Sequence, residues 1–392
     1  MDNRNEFKHL LKTNIREYGM FIALAVIVVF FAIFTPNNAF ISPRNISNLI
    51  NQFGYIAVLS IGMTLVIVIR HIDLSVGSLA GFIGAAIALL MIERGIPMHL
   101  AIPIVLILGI VIGTFSGTLV AKVGMPAFVV TLAGMMIWRG GLLQLTARTG
   151  TINIPIESFN AIGNGFIPDI PILEGYHFIT LLIGALGILL SIALQFRARM
   201  TKIKYGFTVP PMSIFVLKLA FLAVIMGYII NVLSQHNGLS WTLVIVIAVV
   251  IVYHFITNKT VLGRHIYAVG SNPEAAKLSG ISVSKITLFV FGSMGFLAAL
   301  SGILFAARLR AATTTAGDLF ELDAIAGAYV GGVSATGGVG KVTGSVIGAL
   351  VMASLINGMQ LMGRGTSEQL IVRGVILAIA VAFDVISRRK NR

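Results

Sequence analysis

The run LAIPIVLILGIVIGTFSGTLVA at residues 100–121 contains no charged side chain. A helix of about 20 mostly apolar residues is long enough to cross the roughly 30 Å hydrocarbon core of a bilayer. Comparable runs recur throughout the 392 residues, of which 57% are hydrophobic and only 11% are charged. A soluble domain carries roughly 25% charged residues. The composition therefore predicts an all-α polytopic membrane protein and excludes a soluble enzyme for the bulk of the chain.

The apolar runs predict about twelve spans within a single membrane domain at 19–386. The spans lie near 19–34, 54–70, 74–92, 100–121, 125–147, 177–196, 212–233, 239–257, 285–307, 322–335, 344–361 and 369–386. The first and the tenth are short, and whether either crosses fully stays open. The tenth is also rich in glycine, which is typical of a broken or re-entrant helix that is buried in protein or lines a cavity.

Basic residues determine the expected orientation of these spans. The 28 Lys and Arg outnumber the 14 Asp and Glu and give a formal net charge of +14. They concentrate in the tail at 1–18, in the loops after the sixth and eighth spans, and in the tail at 387–392. Because Lys and Arg are enriched in cytoplasmic segments, both termini and the loop at 258–284 are predicted to be cytoplasmic. Charges spread between apolar runs form no basic soluble face, so no nucleic-acid partner is expected.

The sequence lacks the residue patterns of metal sites, catalytic sites and nucleotide-binding loops. The chain contains no Cys, and its seven His include no pair at helical ligand spacing. We therefore expect no metal site and no catalytic residues. The glycine-rich segment at 331–340 precedes Lys341, but Val342 follows where a phosphate loop requires Ser or Thr. We expect no ATP binding by this chain, and no cofactor on it.

The loop at 258–284 has the pattern of a short surface helix. Pro273 suits the first turn of a helix, and Asn272 precedes it as a cap. Glu274 lies in the favourable field of the helix N-terminus. The helix continues through Ala275 and Ala276, and Gly280 stands where a helix stop belongs.

Two acidic residues precede predicted spans. Asp73 fits as the N-cap of the third span, where its carboxylate would accept hydrogen bonds from free backbone N–H groups. Asp323 fits as the corresponding cap of the tenth. The alternative for either residue is a place in a substrate path.

Polar residues inside the spans are candidates for the wall of a translocation path. Arg139 lies nearer the outer end of its span, so it either extends to the lipid headgroups or contributes to such a wall. Thr131, Gln144, Asn357 and Gln360 would add hydroxyl and amide groups. No chain of buried acidic and His residues suggests a proton relay.

Four phrases, in order along the chain, resemble one family. They are IDLSVGS (72–78), FVVTLAGMM (128–136), GRHIYAVGSNPEAAKLSGI (263–281) and ELDAIAGAYVGGVSATGGVG (321–340). The phrases are similar to those of monosaccharide ABC importer permeases, the membrane components of binding-protein-dependent transport systems. An extra helix pair within 177–233 makes the chain more similar to the xylose and multiple-sugar permeases than to the shorter ribose type.

The resemblance implies a fold, a mechanism and partners. It implies the type II ABC importer transmembrane fold, with ten core helices and here an inserted pair. Two copies of the chain would enclose one path through the inner membrane and import a monosaccharide by alternating access. ATP and Mg²⁺ would be bound by a separate ATPase subunit, so this chain would be no enzyme. A periplasmic or lipid-anchored sugar-binding protein would deliver the sugar, and the helix around Pro273 would be the coupling helix that contacts the ATPase.

Two alternatives stay open at this point. One retains the ABC class but changes the cargo to another small polar solute, such as a branched-chain amino acid or a nucleoside. The other is a stand-alone secondary transporter, for which twelve spans are common, although the missing proton relay argues against it.

Overall fold

A computed structural model of the chain describes residues 15–207, 209 and 211–389. The described helices are α1 (Ile15–Phe34), α2 (Pro43–Val68), α3 (Val76–Ile92), α4 (Met98–Thr118), α5 (Ala127–Thr146), α6 (Glu157–Asn164), α7 (Phe178–Lys204), α8 (Met212–Ser234), α9 (Trp241–Lys259), α10 (Val261–Ser271), α11 (Pro273–Leu278), α12 (Val283–Leu309), α13 (Phe320–Val330), α14 (Val342–Leu361) and α15 (Thr366–Arg389). A 3₁₀ turn at Pro36–Ile41 links α1 to α2, and a π-helical turn at Leu119–Val123 extends α4. Two short strands, β1 (Thr151–Asn153) and β2 (Ala311–Thr313), pair antiparallel.

Eight of the described helices are long and apolar enough to cross a membrane. Two shorter apolar helices, at Gly19–Phe34 and Val76–Ile92, coincide with predicted spans. The chain is therefore a mostly helical, polytopic membrane protein. The number twelve and the orientation stay predictions.

The start of α2 differs from the sequence prediction. The span was expected from residue 54, but α2 begins at Pro43. The Ser42 side chain accepts a hydrogen bond from the Asn45 backbone N–H at 3.3 Å, and Pro43 occupies the first helical position. This capped start outweighs the polar composition of the first turns, because a cap and an N-terminal proline favour a helix wherever the chain allows one.

The helix α12 lies at the centre of the bundle and defines its two ends. Its first turn follows α10 and α11, at what we call the lower end. Its last turn contacts α6, since the Asn164 side chain donates to the Ala307 and Arg308 carbonyls at the opposite, upper end. Glycines allow close packing against α4: a Cβ on Gly295 would overlap the Gly109 carbonyl oxygen. Small residues at such contacts are typical of helix packing in lipid.

The helices α3 and α13 both begin at about half the depth of the bundle. The Ser301 hydroxyl donates to the Tyr55 carbonyl at 3.0 Å, which places this part of α12 beside the middle of α2. The ring of Phe320, the first residue of α13, lies 4.7 Å from the Tyr55 ring. In the first turns of α3, the Ala80 carbonyl packs against Gly302. The segments 69–75 and 311–319 must therefore reach this depth without helical structure.

From this common depth the two helices run in opposite directions. α3 continues toward the upper end, where its Gly84 lies against Gly302 and Ala306 of α12. α13 runs toward the lower end, where Gly331 packs against Gly344 at the start of α14. In place of the short, glycine-rich span predicted at 322–335, the structure has a helix of 11 residues that begins at Phe320 and ends at Val330. Whether this segment crosses the membrane stays a prediction.

The helices α7 and α8 form a hairpin that contacts the remaining helices little. Only 11% of the residues in the most apolar window of each helix are buried. The two ends of the hairpin meet, because the His177 backbone N–H donates to the Ser234 carbonyl at 2.8 Å. Nearby, the Leu239 N–H donates to the Thr180 hydroxyl at 3.0 Å. A helix pair thus lies within 177–233, where the family resemblance implied an insertion.

The ends of the chain differ slightly from the predicted tails. Residues 15–18 of the expected tail at 1–18 already belong to α1, and residues 1–14 lie outside the described part. The helix α15 continues into the expected tail at 387–392 and is described as far as Arg389, beyond which residues 390–392 lie outside the described part. The Asp384 carboxylate accepts a hydrogen bond from the Ala335 N–H, so α15 ends at the lower end of the bundle.

Candidate functional site

The N-termini of α3 and α13 meet at about half the depth of the bundle, at a point that we call the half-depth crossing. Gly77, in the first turn of α3, packs directly against the Gly317 backbone and the Glu321 side chain. Gly317 has φ of +81°, which L-residues with a side chain adopt only at a cost. The backbones approach so closely because neither glycine carries a Cβ. In membrane transporters, broken helices of this kind commonly surround the solute site near the midplane.

Asp73 stabilises the unwound segment before α3 and is not the N-cap. The cap position belongs to Ser75, and one Asp73 carboxylate oxygen accepts from the Ser75 backbone N–H at 2.9 Å and from its hydroxyl at 2.6 Å. The N-cap that the sequence placed at Asp73 therefore lies two residues later, at Ser75. The carboxylate closes a local turn, a common use of Asp beside a helix start.

Asp323 is also not a cap. α13 begins three residues earlier, at Phe320, with Leu319 at the cap position. The Asp323 carboxylate is buried and pairs with the Arg373 guanidinium of α15 at 3.2 Å. The predicted cap was wrong because the sequence does not show that Arg373, fifty residues later, lies beside Asp323. A buried carboxylate requires such a partner, since desolvating an unpaired charge is expensive.

Arg139 forms the second ion pair at this depth. Its guanidinium lies 2.8 Å from the Asp318 carboxylate and also reaches the Ala316 carbonyl at 3.4 Å. Both partners belong to the unwound segment before α13. Arg139 therefore links α5 to that segment, as Arg373 links α15 to α13 itself.

Two of the predicted wall residues, Asn357 and Gln360, line one cavity of about 380 Å³. The other lining residues are Asn45, Asn48, Gln52, Tyr55, Phe305, Arg308 and Leu361. The cavity lies between α2, α12 and α14, in the upper half of the bundle. At its bottom the Tyr55 ring contacts Phe305 and Phe320, with centroid distances of 5.1 and 4.7 Å.

The amides of this cavity are partly paired with one another. Asn45 and Asn357 exchange two hydrogen bonds, at 2.8 and 3.1 Å. The Arg308 guanidinium donates to the side-chain oxygen Oδ1 of Asn48 at 3.0 Å. Within the part of the chain that the structure describes, the side chains of Gln52 and Gln360 have no hydrogen-bond partner. These amides retain free donors and acceptors.

The remaining three wall candidates lie elsewhere. The Thr131 hydroxyl is buried and approaches the Ile72 carbonyl at 3.4 Å, beside the unwound segment before α3. Arg139 contacts the other unwound segment, as described above. Gln144 is exposed on α5 and does not line the cavity.

The sequence analysis missed three amides of the cavity wall. Asn45, Asn48 and Gln52 recur at helical spacing, which places them on one face of α2. The spacing was available in the sequence. It was overlooked because the span was expected to begin only at residue 54.

The predicted surface helix is present at the lower end. α11 spans Pro273–Leu278, and the Asn272 side chain accepts from the Glu274 and Ala275 N–H groups at 3.1 Å each. Ala276 is the buried residue of the helix. Gly280 has φ of +81° and ends the turn, as its position predicts.

The support of α11 was not anticipated. α10 precedes it, and the Thr260 side chain caps α10 by accepting from the Gly263 N–H at 3.1 Å. The Arg70 side chain donates to the Gly270 carbonyl at 2.6 Å. The Tyr267 hydroxyl donates to the Gly340 carbonyl at 2.6 Å, and burial raises the Tyr267 pKa, which keeps this donor protonated. α11 is thereby connected to the segments that follow α2 and α13.

Comparisons with known proteins agree with the membrane architecture. A family model described as "Branched-chain amino acid transport system / permease component" matches residues 45–381. The xylose transport system permease protein XylH of Escherichia coli is 37% identical over 385 residues, covering 98% of this chain and 95% of its own length. Its Haemophilus influenzae counterpart is 41% identical over 384 residues, covering 97% and 99%.

A relative with a different named sugar is more distant. The ribose import permease protein RbsC of Haemophilus influenzae is 33% identical over 371 residues, covering 94% of this chain and 93% of its own length. No solved structure matches the chain.

Proposed function

The chain belongs to this family of permease components, and on that premise we propose that it is the membrane-spanning subunit of an ATP-driven monosaccharide importer, with D-xylose as its first candidate cargo. As a multi-pass protein of the inner membrane, it would carry the sugar into the cytoplasm by alternating access. The observation that carries this proposal is the near full-length similarity to two permeases named for xylose transport.

The surface of α11 supports a coupling role at the lower end. Leu278 is 90% exposed, although it is a large apolar residue. Asn272, Pro273, Glu274, Ala275, Ala276 and Gly280 form the capped helix that presents it. We assign this surface to contact with an ATPase subunit that binds ATP and Mg²⁺. The connections of α10 to the segments after α2 and α13 would transmit ATPase movements to both broken helices.

The orientation follows from charge. The lower end carries the last described turns of α15 and the loop at 258–284, so the basic residues there favour a cytoplasmic location. Twelve passes, counting α3 and α13 with their unwound segments, return the chain to that side. A periplasmic or lipid-anchored sugar-binding protein would then deliver sugar at the upper end. A second copy of the chain would complete the path.

The description of the matching family names a second cargo, a branched-chain amino acid. Such a cargo carries an ammonium group, which requires carboxylates, carbonyls or an aromatic face at its site. Amide carbonyls and aromatic rings line the cavity between α2, α12 and α14, but among the described residues no carboxylate does, so the wall offers no opposite charge to an ammonium group. A neutral sugar needs no such charge, which supports the sugar over the amino acid.

Reconstitution tests the proposal. Proteoliposomes that contain the chain alone should take up no D-xylose, even with an imposed proton gradient. Adding the cognate ATPase, ATP on the ATPase side and xylose-loaded binding protein should start uptake. L-leucine with its own binding protein serves as the matched cargo control. Gradient-driven uptake by the isolated chain, or ATP-driven uptake of leucine instead of xylose, would refute the proposal.

A further inference from the structure

The cavity between α2, α12 and α14 lies wholly within one copy of the chain. All of its lining residues, from Asn45 to Leu361, belong to these three helices. Its volume of about 380 Å³ falls within the roughly 300–1,000 Å³ typical of small-molecule sites.

The wall of the cavity has an unusual excess of amides. Asn45, Asn48, Gln52, Asn357 and Gln360 line it, and an amide offers both donors and acceptors. Sugar hydroxyls are likewise both donors and acceptors, so amides match them without requiring a fixed direction of each hydrogen bond. Tyr55 and Phe305 provide the apolar surface that the C–H groups of a sugar ring require.

Unused hydrogen-bonding capacity is concentrated at this part of α2 and α14. Within the described residues, the side-chain amides of Gln52 and Gln360 and the hydroxyl of Tyr55 have no hydrogen-bond partner. One position before Gln52, the buried Asn51 carbonyl oxygen also has no partner within the described part of the chain. Gln52 and Tyr55 are half-buried and Gln360 is exposed, so a ligand that enters the cavity can reach the free polar groups of all three.

The charges restrict the class of ligand. Arg308 is the charged residue of the wall, and Asn48 already accepts from its guanidinium at 3.0 Å. A cation would meet Arg308 without a carboxylate to compensate it. An anion would meet one cation, Arg308, in a wall that is otherwise uncharged, and Asn48 already uses one of the guanidinium N–H groups. A neutral polyhydroxylated molecule can use the amides of the wall and needs no charged partner.

We propose that this cavity is a saturable binding site for a neutral monosaccharide inside each subunit, with Gln52, Gln360 and Tyr55 as its ligand-binding residues. The inference rests on the proposed function, because it names where the imported sugar pauses. Tyr55 packs against Phe320, the first residue of α13, at a ring-centroid distance of 4.7 Å. A sugar on Tyr55 would therefore be separated from the end of that broken helix by a single aromatic ring, which would connect the cargo to α13.

Direct binding tests the site. The full chain is reconstituted in nanodiscs without ATPase or binding protein, and binding of radiolabelled D-xylose is measured, with D-xylonate and L-leucine as competitors. We expect saturable xylose binding that neither competitor displaces. Gln52→Ala, Gln360→Ala and Tyr55→Phe should each weaken it about 3- to 10-fold, the effect of one lost uncharged hydrogen bond.

Matched controls use the same substitutions far from the cavity. Gln235→Ala changes an exposed glutamine beyond the end of α8, and Tyr228→Phe changes an exposed tyrosine of the hairpin. Both should bind like the wild type. Gln360 is itself exposed, and Tyr55→Phe retains the ring, so loss of folding does not explain a loss of binding.

The same variants in the reconstituted complex separate this inference from the proposed function. ATP-driven xylose uptake with wild-type KM in all three cavity variants, or absence of saturable binding to the chain, overturns the site and leaves the transport role intact. Displacement of xylose by D-xylonate or L-leucine overturns the neutral ligand class. A raised KM in the cavity variants with unchanged controls supports the site.

Discussion

Substitution of Gly317 by Ala tests whether the half-depth crossing depends on bare backbone contact. Gly317 has φ of +81°, and a Cβ there would overlap the Gly77 carbonyl oxygen. It would also lie 2.8 Å from the Gly77 carbonyl carbon and 3.1 Å from the Gly81 nitrogen. Each of these atoms belongs to the backbone of α3, which cannot yield like a flexible side chain. The change should force α3 away from the segment that precedes α13.

Two separate costs make up the expected effect. The left-handed backbone costs about 1–2 kcal/mol for a residue with a Cβ. Overpacking against fixed atoms costs typically a further 1–3 kcal/mol. Gly280 isolates the first cost, because it has the same φ of +81° and nothing within 4 Å of its Cβ position. Gly280→Ala should therefore lower the unfolding free energy by the backbone cost alone.

Denaturant-driven unfolding in mixed micelles measures both variants. The two should fall below the wild type in the order Gly280→Ala and then Gly317→Ala, separated by about 1–3 kcal/mol. Gly317→Ala should also lose transport in the reconstituted complex, because the crossing no longer closes. Equal stability of the two variants would contradict the close approach of α3 to the segment before α13.

Three further predictions concern coupling, topology and charge. Asn272→Ala removes both hydrogen bonds that cap α11 and should destabilise this helix by about 1 kcal/mol; sugar-stimulated ATP hydrolysis by the complex should fall, and normal stimulation would remove α11 from the coupling surface. The chain has no native Cys, so Ser158→Cys should react with an impermeant thiol reagent from outside the cell and Ser271→Cys should not; the reverse labelling would invert the orientation. Arg373→Gln leaves the buried Asp323 unpaired and should cost about 3–5 kcal/mol of unfolding free energy. Adding Asp323→Asn should restore most of that loss, and a double variant as unstable as the single one would show that the pair does not carry the effect.

Features encoded over a few residues were predictable from sequence. The helix at Pro273–Leu278 is an example, because its cap, its proline and its terminal glycine are local signals. The membrane class follows from composition in the same way. The short, glycine-rich nature of the segment around α13 was also visible, since glycine and short apolar length are properties of the segment itself.

Features that depend on distant partners were not predictable. Asp323 resembles a helix cap until Arg373 is placed beside it, and Asp318 gains its partner from Arg139 of α5. The cavity requires α2, α12 and α14 to be adjacent, and hydrophobic runs alone do not state which helices are neighbours. The amides of its wall were further hidden because polar residues near a span are ordinarily assigned to loops.

The hairpin of α7 and α8 has a consequence for how this chain can be rebuilt. Its entry at His177 and its exit at Ser234 are already joined by a hydrogen bond of 2.8 Å. The two helices therefore leave and rejoin the bundle at one point, and their removal as a unit would require no rerouting of the rest. Because the pair crosses and returns, every later helix would retain its direction. The hairpin is thus a detachable lipid-facing module, suited to carrying an affinity tag or fluorophore beside a transporter whose working helices remain untouched.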